Sequence, residues 1–558
     1  MKQMENATNT LEKPFFQKYK KSQQIAGFHL TGTCLLPEAA VLREKESSKT
    51  FQLQLQLGSS QFHARMDSPV LNQLFRQLFR HPACHSLRHS PSTFPRQTQS
   101  RTFFTRRSAA KRKVQDAGTM WTKRGDYPKD ISQEYRTYPQ VTANELRGRR
   151  QRPKQVKMLT REFIDDSLYN PHYGYFSKHA TIFTPGEPFD FNNIEDGPAF
   201  QSLLGQRYIE FEDKLDEIQP DESRQLWHTP TELFRPYYGE SIARYLVSNY
   251  KLTLYPYHDL IIYEMGAGNG TMMLNILNFI RDTDYEVYQR TKYKIIEISS
   301  SLADIQMKNL MDTLETAGHR DRVEIVNKSI FDWDTYVHSP CFFLALEVFD
   351  NFSHDTIRYD WRTGLPQQGG VLIDADGEFH EYYNTKLDPV AARFLRVRQA
   401  AARRPFPSPL GHPYLRGLRA MSPFRGDYTL PEYIPTRMME FFDVLNQYFP
   451  AHRLVASDFN VLPDAVPGIN APVVQTRYKR KTVTVSTPFV HQGYFDIFFP
   501  TDFNVFEDVY RAVTGKLTQV TSHEDFMNRW AYIEDTETRN GENPLLFWYK
   551  NANMLMTV

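Results

Sequence analysis

Cysteine is scarce in this 558-residue chain, which has three copies, Cys34, Cys84 and Cys341. They lie far apart, form no C-x-x-C pair and have no histidine cluster beside them. Disulfide frameworks and zinc sites both need closely patterned cysteines, so the sequence predicts neither, and we expect no metal in its chemistry. Cys341 begins an apolar run and is predicted to be a small buried hydrophobe.

Long apolar runs are missing as well. No run reaches the roughly 18 residues that a membrane-spanning helix needs, so we expect no membrane span. The hydrophobic fraction of 40% is nevertheless enough for a sizeable core. A chain of this length is expected to hold two or more domains, or one large α/β fold.

Acidic residues are almost absent from residues 66–113, which hold ten Lys or Arg against Asp67 alone. The segment is rich in Arg and Ser and begins with an amphipathic helical pattern, as mitochondrial transit peptides do. Such peptides act at an N-terminus. We therefore predict that Met66 is the true start and that residues 1–65 are a doubtful extension or a gene-model error. A basic tail that binds an acidic partner is the alternative.

The rest of the chain is acidic. Residues 114–558 carry a net charge of −11, because the whole chain carries +2 while residues 1–65 carry +4 and residues 66–113 carry +9. Nucleic-acid binding depends on neutralising phosphates, so we expect no nucleic-acid partner. An acidic surface suits a cationic substrate, and a surface kept acidic for solubility is the alternative.

Glycine is also uncommon, with 26 copies, yet three stand on alternate positions at Gly266, Gly268 and Gly270. An apolar run (260–263) and Glu264 precede them, and the apolar residues that follow have a helical period. The pattern predicts a strand, a tight glycine turn and a helix, the first crossover of a nucleotide-binding sheet. Glycine suits such a turn because a positive φ costs it little and a ligand can approach its bare backbone.

The spacing of this turn indicates its ligand. It reads G-x-G-x-G, which differs from the G-x-G-x-x-G of dinucleotide sites, and it lacks the Lys-Ser/Thr ending of a P-loop. Glu264 at the end of the strand would repel a phosphate but suits an amino group. The turn therefore favours S-adenosyl-L-methionine, whose methionine end carries an ammonium. Another nucleotide and a plain glycine turn are the alternatives.

Three more short apolar strands follow, at 293–299, 323–327 and 342–346, with stretches of helical length between them. Alternating strands and helices predict a Rossmann-like α/β fold with a mostly parallel twisted sheet and helices on both faces. Ligands of such sheets bind at the carboxyl ends of the strands. Four polar side chains are predicted to share this edge: Glu264, Glu297, Ser329 and Glu347.

Three of these residues, with the glycines, are the predicted cofactor-binding set. Glu264 and the glycine turn would hold the methionine end. Glu297 would accept hydrogen bonds from the ribose hydroxyls, as acids do in ribose recognition generally. Ser329 stands where many such enzymes have an Asp near the adenine.

Composition also predicts the domain organisation. Residues 114–157 are charged and contain Pro, which predicts a linker with little order. Ordered patterning begins at residue 158, so we predict one domain over residues 158–558. Within it, residues 184–226 look like an acidic, turn-rich insertion and residues 362–428 like an inserted subdomain or lid.

Six blocks spread over roughly residues 158–530 resemble the MidA-type methyltransferases in order and spacing: SLYNPHYGYFS, TPTELFRPYYGESIA, YEMGAGNGTMMLNIL, IIEISSSLADIQMKNL, ALEVFDNFSHD and GYFDIFFPTDF. This mitochondrial family includes arginine methyltransferases that act as assembly factors for respiratory complex I. The resemblance implies a class I methyltransferase domain, S-adenosyl-L-methionine as cofactor and a location in the mitochondrial matrix. It also implies that the substrate is an arginine side chain of a complex I subunit.

For an arginine substrate, Glu347 and Asp350 are the candidate catalytic residues. A guanidinium stays protonated and presents forked donors that carboxylates match. The two acids lie beside the predicted sheet edge, where they would bind the guanidinium and draw charge from the attacking nitrogen. A helix cap for Glu347 and a solvated role for Asp350 are the alternatives. Asp496 and Asp502 match family blocks but would serve equally well as structural turn residues.

The chain departs from the family pattern at several positions. Leu346 stands where the family has Asn, residues 351–353 replace Ala-Leu-Pro, and residues 498–500 replace Thr-Ala-His. A catalytically inactive assembly chaperone that keeps the fold is therefore the main alternative. A small-molecule or nucleic-acid methyltransferase is disfavoured by the acidic body, and a dinucleotide oxidoreductase by the glycine spacing.

Overall fold

The computed structural model describes residues 130–558, except 179, 313–315, 317, 404–409, 412–425 and 464–469. The predicted extension (1–65) and the predicted transit peptide (66–113) lie outside the described residues. In the described part of the chain, no helix is long and apolar enough to cross a membrane.

The described strands form four sheets. In chain order they are β1 (Val156–Leu159), β2 (Ala180–Ile182), β3 (Gln225–Trp227), β4 (Leu260–Met265), β5 (Thr291–Glu297), β6 (Val323–Asn327), β7 (Cys341–Leu346), β8 (Asp355–Tyr359), β9 (Pro366–Ile373), β10 (Phe379–Asn384), β11 (Glu432–Ile434), β12 (His452–Phe459), β13 (Val473–Tyr478), β14 (Lys481–Val485), β15 (Asp496–Phe498), β16 (Thr518–Ser522) and β17 (Ala552–Thr557).

Helices alternate with the strands. They are α1 (Ser132–Thr137), α2 (Ala143–Leu146), α3 (Thr160–Tyr169), α4 (Tyr175–Lys178), α5 (Gly197–Ile218), α6 (Pro230–Leu233), α7 (Tyr237–Thr253), α8 (Thr271–Thr283), α9 (Tyr285–Gln289), α10 (Ser300–Met311), α11 (Pro389–Ala401), α12 (Thr436–Tyr448), α13 (Phe503–Thr514), α14 (His523–Trp530) and α15 (Pro544–Phe547).

A seven-stranded sheet with the order β16-β17-β12-β7-β4-β5-β6 organises the fold. Strands β12, β7, β4, β5 and β6 run parallel to one another, whereas β17 pairs antiparallel with both β12 and β16. The chain passes from β4 outward to β5 and β6, and then returns to place β7 on the other side of β4. This reversal creates a crevice between the carboxyl ends of β4 and β7, where sheets of this kind bind ligands.

The central strands β4 and β7 are apolar except for Glu264, because helices cover both faces of the sheet. On one face, Leu260 and Ile262 of β4 pack in a core with α7 and α8. On the other face, Tyr263 and Met265 pack with α12 and α13. The predicted α/β class is confirmed.

A second, antiparallel sheet joins distant parts of the chain. Its order is β1-β9-β8-β11. Strand β10 also pairs with β9, over residues 368–373. The smaller sheets are β14-β13-β15 and the parallel pair β2-β3. Strands β9 and β10 and helix α11 fall within the range predicted as an inserted subdomain or lid. Its described residues are therefore built into regular structure, with β9 in the interior of the second sheet.

The structure differs from two sequence expectations about order. Residues 130–157 were predicted to have little order, yet they contain α1 and α2 and begin β1. Helix α2 is held by a capping box between Thr142 and Glu145, and Leu146 is fully buried. The range predicted as turn-rich, 184–226, contains the 22-residue helix α5, whose first turn is capped by Asp196. These helices bury only a few apolar residues and are otherwise rich in charged side chains. Their amino-acid composition therefore resembles that of a linker or a turn-rich insertion.

Candidate functional site

The three glycines form the predicted turn between β4 and α8. Their φ angles are +71° at Gly266, +55° at Gly268 and +80° at Gly270, a region that L side chains rarely adopt. A Cβ added at Gly268 would lie 2.7 Å from Cδ1 of Ile182, and one at Gly266 would lie 2.9 Å from Cγ1 of Val348. The turn is therefore a bare backbone cradle with no room for side chains, beside the crevice between β4 and β7.

Glu264 is buried at the end of β4, where it accepts a hydrogen bond of 2.8 Å from the Tyr293 hydroxyl. Burial raises its pKa to about 7, against the lowering effect of the Tyr293 hydrogen bond, while the charge of Glu297 raises it further. No ion pair reaches Glu264 within the described ranges. A buried acid without a cation is costly, and a bound ammonium would relieve that cost.

Glu297 lies at the neighbouring strand end and is linked to the glycine turn. Its carboxylate accepts hydrogen bonds of 2.9 Å from the Ser299 backbone N–H and from Nε2 of Gln306. The same Nε2 donates to the Gly268 carbonyl at 2.9 Å. The Oε1 of Gln306 is buried and has no partner among the residues described. Burial raises the pKa of Glu297.

These features fit S-adenosyl-L-methionine. The glycine cradle admits a ligand against the backbone, Glu264 offers a carboxylate to an ammonium, and the unsatisfied Gln306 oxygen offers an acceptor to a hydroxyl. Gln306 was missed by the sequence analysis, although it lies in the block IIEISSSLADIQMKNL that resembles the MidA-type family.

Glu232 is a second residue that the sequence analysis missed. Its Oε1 accepts hydrogen bonds from Nδ2 of Asn269 at 3.1 Å and from the Thr271 hydroxyl at 2.6 Å. The available signal was Thr229 with Glu232 three residues later, the spacing of a capping box. Thr229 does cap α6, but the Glu232 carboxylate binds the glycine turn and the start of α8 instead.

Ser329 lies two residues beyond Asn327, which pairs with Glu297, so it stands at the predicted sheet edge. Its hydroxyl accepts a hydrogen bond of 3.3 Å from the Phe331 N–H and caps the short 3-10 helix Ile330–Asp332. The described contacts therefore give Ser329 a structural role, and its predicted position near an adenine stays a prediction.

Glu347 immediately follows β7 and has a φ of +52°, a left-handed conformation that costs energy in any residue with a Cβ. Its N–H donates to the Ser457 carbonyl at 2.8 Å, which holds the strained residue in place. Burial, and then the charge of Asp350, raise the pKa of Glu347 well above its usual range. Burial and then the charge of Glu347 in turn raise the pKa of the Tyr238 and Tyr549 phenols.

Asp350 lies on the same turn and is 7% exposed. Its Oδ1 accepts a hydrogen bond of 2.9 Å from the Asn351 N–H, and burial raises its pKa to about 7. The turn is fixed by Asp458 at the end of β12, whose Oδ2 accepts the N–H groups of Phe349 at 2.8 Å and Asp350 at 3.2 Å. Asp458 was missed by the sequence analysis, although it lies near the carboxyl end of a strand of the same sheet.

Asp496 on β15 completes an acidic cluster, defined here as Glu347, Asp350, Asp458 and Asp496. After burial, the charge of Asp350 is the next cause that raises the pKa of Asp458 and Asp496. Within the described residues, no ion pair neutralises these four side chains. There, no group of three or more His, Cys, Asp or Glu could hold a metal ion. The cluster is chemically suited to an organic cation.

Replacing Glu264 with Gln is expected to remove a pH-dependent destabilisation of the unliganded protein. The pKa of Glu264 is raised from 4.5 to about 7, so its contribution to stability is full below pH 4.5 and is lost as pH rises through 7. The free energy of unfolding of the wild type, relative to Glu264→Gln, should fall by at most about 3 kcal/mol between pH 4.5 and pH 8. Urea unfolding of both proteins across this range measures the difference, and a difference independent of pH would contradict the assignment.

A family model described as an S-adenosyl-L-methionine-dependent methyltransferase matches residues 241–521, half of the chain. The mitochondrial protein arginine methyltransferase NDUFAF7 homolog of Schizosaccharomyces pombe is 27% identical over 391 residues, which cover 68% of this chain and 80% of that protein. The homolog of the same name from Saccharomyces cerevisiae is 22% identical over 341 residues, covering 57% and 77%.

Among solved structures, the chain is similar to a Burkholderia thailandensis protein crystallised with S-adenosyl-homocysteine, with a TM-score of 0.46 and 14% identity over 72% of this chain and 88% of that one. The family match alone confirms the resemblance and the cofactor that the glycine turn and the sequence blocks predicted. The chain belongs to this family of S-adenosyl-L-methionine-dependent methyltransferases.

Proposed function

We propose that this chain methylates a guanidinium nitrogen of an arginine in a protein substrate, inside mitochondria. The observation that carries the proposal is the pair Glu347 and Asp350, two acids on one turn at the carboxyl end of β7, beside the glycine cradle. The names of the two curated relatives, both mitochondrial protein arginine methyltransferases, support the same substrate class.

A guanidinium suits these acids better than other acceptors do. It remains charged at all physiological pH values, and its planar fork of N–H donors pairs with carboxylates. Burial is the main cause that raises the pKa values of Glu347 and Asp350, and no counter-charge pairs with either side chain among the described residues. A bound guanidinium would supply that charge and lower both pKa values, so part of its binding free energy comes from relieving the buried acids.

Each set of site residues would have its own role in methyl transfer. When bound, S-adenosyl-L-methionine supplies a methyl group that is activated by the neighbouring sulfonium. Glu264 and the glycine cradle would hold its methionine end, and Glu297 with Gln306 would hold its ribose. Glu347 would orient the guanidinium toward the methyl group. Alignment of reacting groups can lower the activation barrier by roughly 7–11 kcal/mol.

A proton must leave when the nitrogen is methylated, since a protonated guanidinium has no free lone pair. Asp350, with a pKa raised to about 7, is suited to accept that proton near neutral pH and then release it to solvent. The new bond joins nitrogen and the methyl carbon while the carbon–sulfur bond breaks, and the products are a methylated arginine, S-adenosyl-homocysteine and a proton.

The choice of target protein and of compartment rests on the sequence resemblance. The six blocks similar to the MidA-type family support an arginine of a respiratory complex I subunit as the target and the mitochondrial matrix as the location. The acidic net charge of residues 114–558 is compatible with a basic segment around the target arginine.

The test combines calorimetry with a methylation assay. We expect the purified protein to bind S-adenosyl-L-methionine in a calorimetric titration and to transfer a labelled methyl group to isolated complex I subunits. Mass spectrometry should place the methyl on arginine, and replacing that arginine with lysine should abolish labelling. Cofactor binding without methyl transfer to any subunit would instead support the inactive assembly chaperone.

A further inference from the structure

One carboxylate oxygen near the site has no hydrogen-bond partner among the residues that the structure describes. Asp496 on β15 is 1% exposed. Its Oδ1 accepts a hydrogen bond of 3.0 Å from Nδ2 of Asn351, whereas its Oδ2 is buried and has no hydrogen-bond partner in the described part of the chain. Buried polar atoms are almost always paired, and an unpaired one costs about 1–3 kcal/mol, more when charged. This oxygen therefore points to a ligand.

The surroundings of Asp496 are aromatic and anionic. Burial and then the charge of Asp496 raise the pKa of the Tyr175 phenol, and Asp496 is also among the acids that raise the pKa of Tyr169. The Tyr169 hydroxyl donates to the Asn351 carbonyl at 3.0 Å, and the Trp227 indole N–H donates to Tyr175 at 3.0 Å. Aromatic rings beside carboxylates are a favourable environment for a planar cation.

Asn351 links Asp496 to the proposed catalytic turn. Its N–H donates to Oδ1 of Asp350, and its side chain donates to Oδ1 of Asp496 and to the Ile497 carbonyl at 3.2 Å. One residue therefore orients both carboxylates, which leaves Oδ2 of Asp496 as the oxygen that is free to bind. Asn351 lies in the segment where the chain departs from the family pattern.

We propose that Asp496 is a second substrate-binding carboxylate, which accepts a hydrogen bond through Oδ2 from the guanidinium of the target arginine while Glu347 and Asp350 act on its reacting nitrogen. This inference rests on the proposed arginine substrate. It assigns a specificity role to Asp496, because a lysine ammonium has no second planar N–H group to reach this oxygen while its nitrogen faces Glu347.

Asp502 provides a matched control from the same sequence block. It is exposed, and its side chain accepts the backbone N–H groups of Asn504 at 2.9 Å and Val505 at 3.3 Å at the start of α13. Its hydrogen bonds are thus satisfied by a helix cap, which confirms the structural alternative for Asp502 and separates it from Asp496.

The experiment measures the steady-state methylation of an arginine peptide by the wild type, Asp496→Asn and Asp502→Asn. We expect Asp496→Asn to raise the KM for the peptide by at least about tenfold, the effect of losing one hydrogen bond to a charged group. The Kd for S-adenosyl-L-methionine should stay within about twofold of the wild-type value, and Asp502→Asn should keep the wild-type peptide KM.

Asp496→Glu keeps the charge but moves the carboxylate by one methylene. If Asp496→Asn fails to bind the cofactor, the peptide KM of Asp496→Glu tests the proposal instead. Its expected peptide KM lies between those of the wild type and Asp496→Asn. An unchanged peptide KM in a variant that binds the cofactor normally would overturn the proposal. A wild-type protein that methylates no arginine would refute the proposed function instead, so the two failures are distinguishable.

Discussion

Glu347→Gln is expected to lower kcat for arginine methylation by at least about 100-fold, the typical loss when one preorganised electrostatic group of an active site is removed. The substitution keeps the size and shape of the side chain but removes the charge that faces the guanidinium. Methyl transfer to an arginine peptide, followed with labelled S-adenosyl-L-methionine at saturating concentrations, measures the change. The Kd of the cofactor should change by less than about twofold, because Glu347 follows β7 and not the glycine turn.

Loss of activity in this variant is not expected to reflect unfolding. Burial raises the pKa of Glu347 well above its usual range, so the ionised carboxyl costs the unliganded wild type stability that the neutral Gln side chain does not cost. The melting temperature of Glu347→Gln should therefore equal or exceed that of the wild type at neutral pH. Full activity in a folded Glu347→Gln protein would remove Glu347 from the mechanism.

The residues that depart from the family pattern support the acidic turn. The Phe499 N–H donates to the Asp350 carbonyl at 2.8 Å, and its ring stacks on His354 with 3.7 Å between ring centroids. Burial lowers the pKa of His354 to about 3, so this histidine is neutral and adds no positive charge beside the acids. The altered segment 498–500 thus keeps the turn in place and, with a neutral His354 beside it, adds no positive charge to the acidic cluster.

The central strands and the glycine turn could be predicted because their signals are local. Strand β6 has the predicted bounds of 323–327, and β7 begins one residue before the predicted 342. Parallel strands that are buried on both faces need continuous apolar runs, and the change from strand to helical period is visible within a few residues. Glu264, Glu297 and Glu347 lie at one sheet edge because each stands at the carboxyl end of a parallel strand of the same sheet.

The contacts that complete the site could not be predicted, because they join residues that are far apart in the sequence. Asp458 holds the turn of Asp350 from 108 residues away, and Asn351 reaches Asp496 across 145 residues. No local pattern encodes the register of such pairs. The second sheet was missed for the same reason, since β1 pairs with β9 through partners such as Val156 and Ile373.

Gly268→Val is expected to raise the Kd for S-adenosyl-L-methionine by at least about 100-fold, which corresponds to about 2.7 kcal/mol. The φ of Gly268 is +55°, which a residue with a Cβ rarely adopts, and we expect a side chain there to occupy space that the ligand needs beside the backbone. A calorimetric titration of the purified variant measures the loss. Methyl transfer should fall in parallel at low cofactor concentration and recover partly at high concentration.

Two further variants separate the loss of ligand space from backbone strain. Gly515→Val places the same side chain at a φ of +70° at the end of α13. Apart from the chain neighbours, no described atom lies within 4 Å of a Cβ added there, so this variant should lower stability but leave cofactor affinity unchanged. In Gly268→Val, the new Cβ also meets Cδ1 of Ile182 at 2.7 Å. Adding Ile182→Ala removes this collision, and affinity should stay low because the valine still fills the cradle. A double variant that binds the cofactor like the wild type would show that the collision with Ile182, and not the closeness of ligand and backbone, explains the requirement for glycine.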